Sequence, residues 1–245
     1  MTKVIGYSER GYVYSLVSDV QSRGEDFVQV LFRLAGFKIK GKIENVTIYV
    51  EPSLSEFGNP DLIIHFKDKN VAKICFVEAK NKVKISDEWK KFDKNIDIEN
   101  NSPRKNFTSN LFSQLSLKVL YTKAKKIKDV KKSKNNVEFV WDDFSQCKGL
   151  KGSKNKRSIG VKEVVWDLVR KSNWRKGNDY YVGIVNNTKG VEKEYLKRFP
   201  LKEVKNRVAL IEWKDIAEEL KKEKFEMQMF LNTKKFNKWK KTGKI

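Results

Sequence analysis

Apolar and polar residues follow two periodicities along this chain, one typical of helices and one typical of strands. In residues 24–36 the apolar positions recur at helical spacing, and Gly36 provides a stop; an earlier start stays open. The same spacing predicts further helices at residues 109–127, 161–170, 191–198 and 214–222. Runs rich in β-branched and aromatic residues predict strands at residues 37–40, 46–50, 61–66, 71–78, 137–141, 180–185 and 208–213.

The order of these elements favours an α/β fold, with a mixed β-sheet flanked by helices. We expect a single domain that covers residues 1–245. Its core is predicted in residues 20–125 and 160–222. The Lys-rich residues 128–158 are predicted to be a basic insertion, and residues 230–245 a basic tail.

Residues 61–66 and 71–78 are expected to form a hairpin in the middle of the sheet, because their apolar residues fall on both faces. If Lys69 and Asn70 form a two-residue turn, Asp61 lies directly opposite Glu78, with Cβ atoms roughly 5 Å apart. Two carboxylates at that distance repel each other, and a divalent cation such as Mg²⁺ removes the conflict. Lys80 falls on the same face, where its ammonium group can stabilise transition-state charge or assist an attacking water. A longer turn would shift this pairing.

Composition narrows the chemistry further. The chain has 53 Lys and Arg against 31 Asp and Glu, a net charge of +22, which indicates a nucleic-acid partner. Its single histidine, His65, and two distant cysteines argue against histidine-based nucleophile systems and structural zinc sites. The cysteine usage favours a cytoplasmic location, and no apolar run is long enough to predict a membrane span. Carboxylates, lysines and a hard metal ion remain for catalysis.

The hairpin sequence resembles a known family. Gly58-Asn59-Pro60-Asp61-Leu62-Ile63-Ile64, followed by Ile74-Cys75-Phe76-Val77-Glu78-Ala79-Lys80, is similar to the PD-(D/E)xK nuclease superfamily, which includes restriction endonucleases and archaeal Holliday junction resolvases. The resemblance implies a restriction endonuclease-like core with insertions.

The same resemblance implies roles for individual residues. Asp61, Glu78 and the carbonyl of Ala79 would bind Mg²⁺, with Mn²⁺ as a substitute, and Lys80 would serve the hydrolytic water. Glu25 fits the acidic residue of the family's first core helix, because Gly36-Phe37 follows eleven residues later, as in the resolvase branch. Asp26 is the alternative for that position.

Gln114 matches a glutamine that some exonuclease branches carry on the helix after the lysine. The aromatic residue expected four positions later is Lys118 in this chain. This difference is a departure from the pattern of those branches.

Glu-x-Lys alone is a weak signal in a Lys-rich chain. It recurs several times, and Glu212-Trp213-Lys214 competes because it also ends a predicted buried strand. The alternative without a catalytic role is that Asp61 only starts a strand after Pro60 and that Glu78 and Lys80 form a solvated ion pair.

Taken together, the residues and the resemblance predict a Mg²⁺-dependent DNA endonuclease of the restriction or defence type, acting as a homodimer. A Holliday junction resolvase or repair nuclease is the alternative within the same chemistry, and a catalytically inactive nucleic-acid-binding protein is the alternative from another class. RNA stays open as a substrate. The phosphate-binding candidates are Lys82, Lys123, Lys126 and Arg157.

Overall fold

A five-stranded mixed β-sheet forms the centre of the computed structural model. The structure describes residues 9–52, 54, 58–80, 96–97, 102–103, 110–123, 127–133, 136–141, 177–189, 196–197 and 201–225. The helices are α1 (Glu9–Val20), α2 (Gly24–Leu34), α3 (Leu111–Lys123) and α4 (Trp213–Lys222), with a 3₁₀ helix at Leu201–Arg207. The strands are β1 (Ile43–Val50), β2 (Leu62–Asp68), β3 (Val71–Ala79), β4 (Ile96–Asp97), β5 (Ser102–Pro103), β6 (Ile127–Ser133), β7 (Asn136–Trp141), β8 (Asp179–Val185) and β9 (Val208–Glu212).

The main sheet has the order β1-β2-β3-β8-β9. Strands β1, β2 and β3 form an antiparallel meander, whereas β3, β8 and β9 are parallel to one another. The predicted α/β class with a mixed sheet flanked by helices is therefore confirmed. Strand β3 is central, antiparallel to one neighbour and parallel to the other.

The hairpin of β2 and β3 has the predicted register. Asp68 pairs with Val71 and Leu62 pairs with Val77, so Lys69 and Asn70 form the two-residue turn. Both turn residues have positive φ, 51° and 64°, which suits the right-handed twist of the flanking strands. A local turn therefore fixes which residues face each other at the distant end of the hairpin.

Helices cover both faces of the sheet. One apolar cluster joins α1, α2 and α4 to six residues of the hairpin, which are Leu62, Ile64, Phe66, Cys75, Val77 and Ala79. On the opposite face, the ring of Phe76 stacks on Tyr181 of β8 and meets Tyr121 of α3 edge-on. Helix α3 therefore lies on the face to which Asp61 and Glu78 belong by strand alternation.

Two sequence predictions about secondary structure are wrong, and the open question of where the first helix starts is decided. Residues 37–40 are irregular because the backbone N–H groups of Lys40 and Gly41 donate to the Asp68 carboxylate instead of joining a strand. A separate helix, α1, precedes α2. Ile127 does not end the helix at residues 109–127 but begins β6, which pairs with β7 in a two-stranded sheet.

The other predicted elements have different outcomes. Those at residues 24–36, 46–50, 137–141, 180–185, 208–213 and 214–222 correspond to α2, β1, β7, β8, β9 and α4. Residues 161–170 lie outside the described residues, and of residues 191–198 only a turn at 196–197 is described. Within the described part of the chain, no helix has the length and apolar character needed to cross a membrane.

Candidate metal centre

Asp61 immediately precedes β2, and its side chain contacts the end of β3. Its backbone carbonyl accepts a hydrogen bond from Glu51 N at 2.9 Å, and its side-chain Oδ2 accepts one from Ala79 N at 2.6 Å. The structure therefore brings Asp61 and Ala79 together through the Ala79 N–H. The predicted role of the Ala79 carbonyl as a metal ligand stays a prediction.

Glu78 is the buried member of the site. Its side chain is 3% exposed, and Lys118 Nζ of α3 lies 2.9 Å from its Oε1. This contact is an ion pair, and among the described residues Oε1 accepts no well-aligned hydrogen bond. Burial raises the pKa of Glu78 to about 7, with Lys118 opposing the rise and the charge of Asp61 adding to it.

Lys118 is a site residue that the sequence prediction missed. Its side chain is fully buried, and Nζ donates a hydrogen bond to Gln114 Oε1 at 2.9 Å in addition to contacting Glu78. Burial lowers the pKa of Lys118, against the raising effect of Glu78. The four-residue spacing places Gln114 and Lys118 on one face of α3. That spacing was the available signal, since Lys118 occupies the position where the resemblance expects an aromatic residue.

Gly58 closes the site from the side of the loop before β2. Its φ is +78°, in the left-handed region that favours glycine. A Cβ atom at this position would lie 2.9 Å from Gln114 Oε1 and 3.3 Å from Lys118 Nζ. The absence of a side chain at Gly58 therefore leaves room for the Gln114–Lys118 pair.

Lys80 has a firmly held backbone and a partly exposed side chain. Its N–H donates to the Ile184 carbonyl of β8 at 2.8 Å, and its carbonyl accepts a long 3.4 Å hydrogen bond from Trp213 Nε1. The positive charge of Lys80 opposes the rise in the pKa of Glu78, which burial causes. The same charge adds to the lowering of the pKa of Lys118 by burial. Both effects are consistent with the predicted position of Lys80 on their face of the sheet.

Helix α1 contributes residues at the rim of the site. Arg10 Nε lies 2.8 Å from Glu51 Oε1, and Glu51 is bound through its backbone to Asp61. Tyr14, one turn further along α1, is half-exposed; a hydrogen bond with Glu51 raises its pKa, and the charge of Asp61 adds to this effect. The sequence prediction named none of these rim residues.

The structure does not bring Glu25 to the two carboxylates. Glu25 is exposed on the first turn of α2, which packs on the opposite face of the sheet. In the described ranges, no group of three or more His, Cys, Asp or Glu side chains is placed to hold a metal. The alternative residue, Asp26, pairs with Arg23 at 2.7 Å.

The predicted phosphate-binding residues have no described side chains. Lys82, Lys126 and Arg157 lie outside the described residues. Lys123 is the last residue of α3, and only its backbone is described. Their role stays a prediction.

The competing Glu-x-Lys sequence lies at the same edge of the sheet but has different surroundings. Glu212 Oε1 accepts hydrogen bonds from Thr188 N at 2.9 Å and from Thr188 Oγ1 at 3.0 Å. Its other oxygen pairs with Lys214 Nζ at 3.0 Å. These contacts lower the pKa of Glu212, the backbone hydrogen bond from Thr188 most of all. Glu212 therefore serves as an anchor for the loop after β8.

Comparison of the chain with protein-family models, with curated proteins and with solved structures gives no match. The functional interpretation therefore depends on the site residues themselves.

Proposed function

We propose that the protein is a Mg²⁺-dependent DNA endonuclease with a restriction endonuclease-like core, in the PD-(D/E)xK superfamily. One observation carries the proposal: Asp61 and Glu78 lie at the adjoining ends of β2 and β3, on one face of the sheet, with Lys80 two residues further along. The order of the elements along the chain supports the same core. A helix is followed by the antiparallel meander, then by a second helix and a parallel strand.

The residues fit a hard divalent cation. Asp61 and Glu78 are two like charges at a buried strand end, where a cation relieves their repulsion. The carbonyl of Ala79, whose N–H donates to Asp61 Oδ2, would supply a neutral oxygen. Such an ion, when bound, polarises the scissile phosphate and favours ionisation of the attacking water. Mn²⁺ has similar ligand preferences and substitutes for Mg²⁺.

The chain's own groups then position the substrate and move the proton. Lys80, whose backbone is fixed between Ile184 and Trp213, directs its ammonium group to the attacking water or to the charge that develops on the phosphate. Gln114 holds Lys118 on the same side of the site. Glu25 has no role in this proposal, because α2 packs on the opposite face of the sheet.

The positive charge supports DNA as the substrate. A net charge of +22 attracts a polyanion, and each neutralised phosphate releases counterions. We propose a restriction or defence role for a homodimer, since cutting two strands needs two sites. A junction resolvase or repair nuclease uses the same chemistry on a different DNA shape.

One observation favours a second candidate function. The Lys118 ammonium already neutralises Glu78 without a metal ion. An inactive nuclease core that binds nucleic acid through its charge would have this arrangement, and it would need no metal.

Cleavage assays separate the two functions. Supercoiled plasmid, linear duplex, a four-way DNA junction and single-stranded RNA are incubated with the protein in Mg²⁺, Mn²⁺ or EDTA. We compare the wild type with Lys80→Ala and with Lys214→Ala, which removes the lysine of the competing Glu-x-Lys sequence. Metal-dependent cutting that falls at least 100-fold in Lys80→Ala and persists in Lys214→Ala is expected.

The substrate that is cut selects the branch. Preference for duplex DNA supports restriction, preference for the junction supports a resolvase, and preference for RNA changes the substrate class. Binding to all of these without cutting in either metal would overturn the nuclease proposal in favour of the binding protein. Loss of cutting in Lys214→Ala alone would move the catalytic site to Glu212.

A further inference from the structure

We propose that Lys118 is a built-in counter-cation that occupies the cation position at Glu78 until a divalent metal displaces it, and that the displaced ammonium group then binds a DNA phosphate. This inference rests on the proposed nuclease function. It assigns Lys118 as a positioning residue for metal and substrate, a role that follows from its contacts and not from the family resemblance.

The positions of the charges make the two cations mutually exclusive. Lys118 Nζ lies 2.9 Å from Glu78 Oε1, with side-chain exposures of 0% and 3%. A Mg²⁺ ion bound to the same oxygen at about 2.1 Å would lie within about 5 Å of the ammonium nitrogen. Two positive charges that close in a buried site repel strongly. Metal binding at Glu78 therefore requires Lys118 Nζ to move.

Gln114 provides the place to which the ammonium group retreats. Its Oε1 accepts a hydrogen bond from Lys118 Nζ at 2.9 Å and is neutral, so the metal does not compete for it as it does for a carboxylate. Gly58 borders this pair without a side chain. Lys118 can leave Glu78 and still keep its hydrogen bond to Gln114. Its positive charge then remains at the site, and a phosphate oxygen of bound DNA is the matching anion.

A second buried lysine provides a matched comparison. Lys73 Nζ lies 2.6 Å from Asp68 Oδ2, with side-chain exposures of 5% and 0%. Asp68 also accepts hydrogen bonds from the backbone N–H groups of Lys40 and Gly41, so this ion pair anchors a loop. It lies at the turn end of the hairpin, away from Asp61 and Glu78. Lys73→Met therefore removes a buried ammonium group without touching the proposed metal position.

The experiment measures Mn²⁺ affinity of the full chain by electron paramagnetic resonance, without DNA. The wild type, Lys118→Met and Lys73→Met are compared, with circular dichroism as the check of folding. Lys118→Met is expected to bind Mn²⁺ at least 10-fold more tightly than the wild type, because the competing cation is gone. Lys73→Met is expected to match the wild type.

A second measurement covers the case in which Lys118→Met does not fold. Wild-type protein with ¹³C at lysine Cε is titrated with Mg²⁺, and Lys118→Arg and Lys73→Met assign the two signals. Mg²⁺ must shift the Lys118 signal and leave that of Lys73 in place.

The outcomes distinguish this inference from the proposed function. Unchanged or weaker Mn²⁺ affinity in folded Lys118→Met, or an unmoved Lys118 signal in wild type, overturns the role of Lys118. If the wild type still cuts DNA with metal, the nuclease function survives that result. If neither the wild type nor Lys118→Met binds Mn²⁺ at millimolar concentration, the inference and the metal-dependent function both fail.

Discussion

Two buried carboxylates in this protein are each paired with a lysine, but their surroundings give them different roles. Asp68 accepts backbone hydrogen bonds from Lys40 and Gly41 as well as the ammonium group of Lys73. Glu78 has Lys118 against it and the negative charge of Asp61 nearby. Hydrogen bonds stabilise the charged form of Asp68, whereas burial and a like charge disfavour the charged form of Glu78. The first arrangement is structural, and the second suits a cation site.

Removing the Asp68 charge should destabilise the fold. Burial raises the pKa of Asp68, but hydrogen bonds from Lys73 and Lys40 outweigh burial and hold the pKa below its ordinary 3.8. Asp68→Asn leaves Lys73 buried beside a neutral amide, and we expect a loss of about 3–5 kcal/mol in the free energy of unfolding at pH 7. Urea denaturation measures this loss.

The same variant has a defined pH dependence. Because the pKa of Asp68 is lowered in the folded state, its contribution is present above pH 3.8 and is lost as the pH falls through the folded-state pKa. The difference between wild type and Asp68→Asn should therefore shrink below pH 3.8. Glu218→Gln, at an exposed position on α4, is the control and should change little at pH 7. A difference that persists undiminished at pH 2 would contradict this account.

At the scale of elements, the contact between the loop before β2 and helix α3 determines the geometry of the site. The hairpin itself could be predicted, because a two-residue turn at Lys69 and Asn70 fixes the register locally. The ion pair of Lys118 with Glu78 could not be predicted, because it depends on how α3 packs on the sheet. The four-residue spacing from Gln114 was a signal for Lys118, but in a chain with 53 Lys and Arg it does not reveal the contact with Glu78.

Other elements differ from the predictions for similar reasons. Residues 37–40 have strand-like composition, but the Lys40 N–H donates hydrogen bonds to the Asp68 side chain, 28 residues away, and these hold Lys40 out of the sheet. Residues 128–133 look like a solvated charge run, yet they belong to β6 because β7 pairs with them. Glu25 has the expected sequence spacing, but the face on which α2 packs decides its distance from Asp61.

Gly58→Ala tests the contact between the loop and α3. Ala at a φ of +78° is strained, and its Cβ would push against Gln114 Oε1 at 2.9 Å. Gly36→Ala is the matched control, because φ is +68° there and a Cβ meets nothing within 4 Å. Each variant should lose about 1–2 kcal/mol in unfolding free energy from strain. Only Gly58→Ala should also lower metal-dependent cleavage, about 10-fold. Equal cleavage by the two variants would show that the Gln114–Lys118 pair is not positioned by Gly58.

At the scale of the whole molecule, the sheet order supports the site from both sides of β3. Strand β3 is held on both edges, and its carboxyl end carries Glu78, Ala79 and Lys80. The carboxyl ends of β8 and β9 lie at the same edge, where Glu212 anchors the loop after β8. This arrangement fixes the backbone positions of the residues to which the proposed function assigns the chemistry.

Attraction of DNA by net charge should not require the metal site. With EDTA at about 50 mM salt, a 20-base-pair duplex is expected to raise the melting temperature, because it binds the folded, basic protein, and about 500 mM salt should remove most of this rise. Asp61→Asn raises the net charge by one, so it should keep the DNA-induced rise in melting temperature. The same variant removes a proposed metal ligand, so it should lose any further rise in melting temperature caused by Mg²⁺. Thermal denaturation of wild type and variant, with and without duplex, measures both effects. If the duplex leaves the melting temperature unchanged at low salt, the net charge of +22 does not cause DNA binding. That result would remove the main reason for proposing DNA as the substrate.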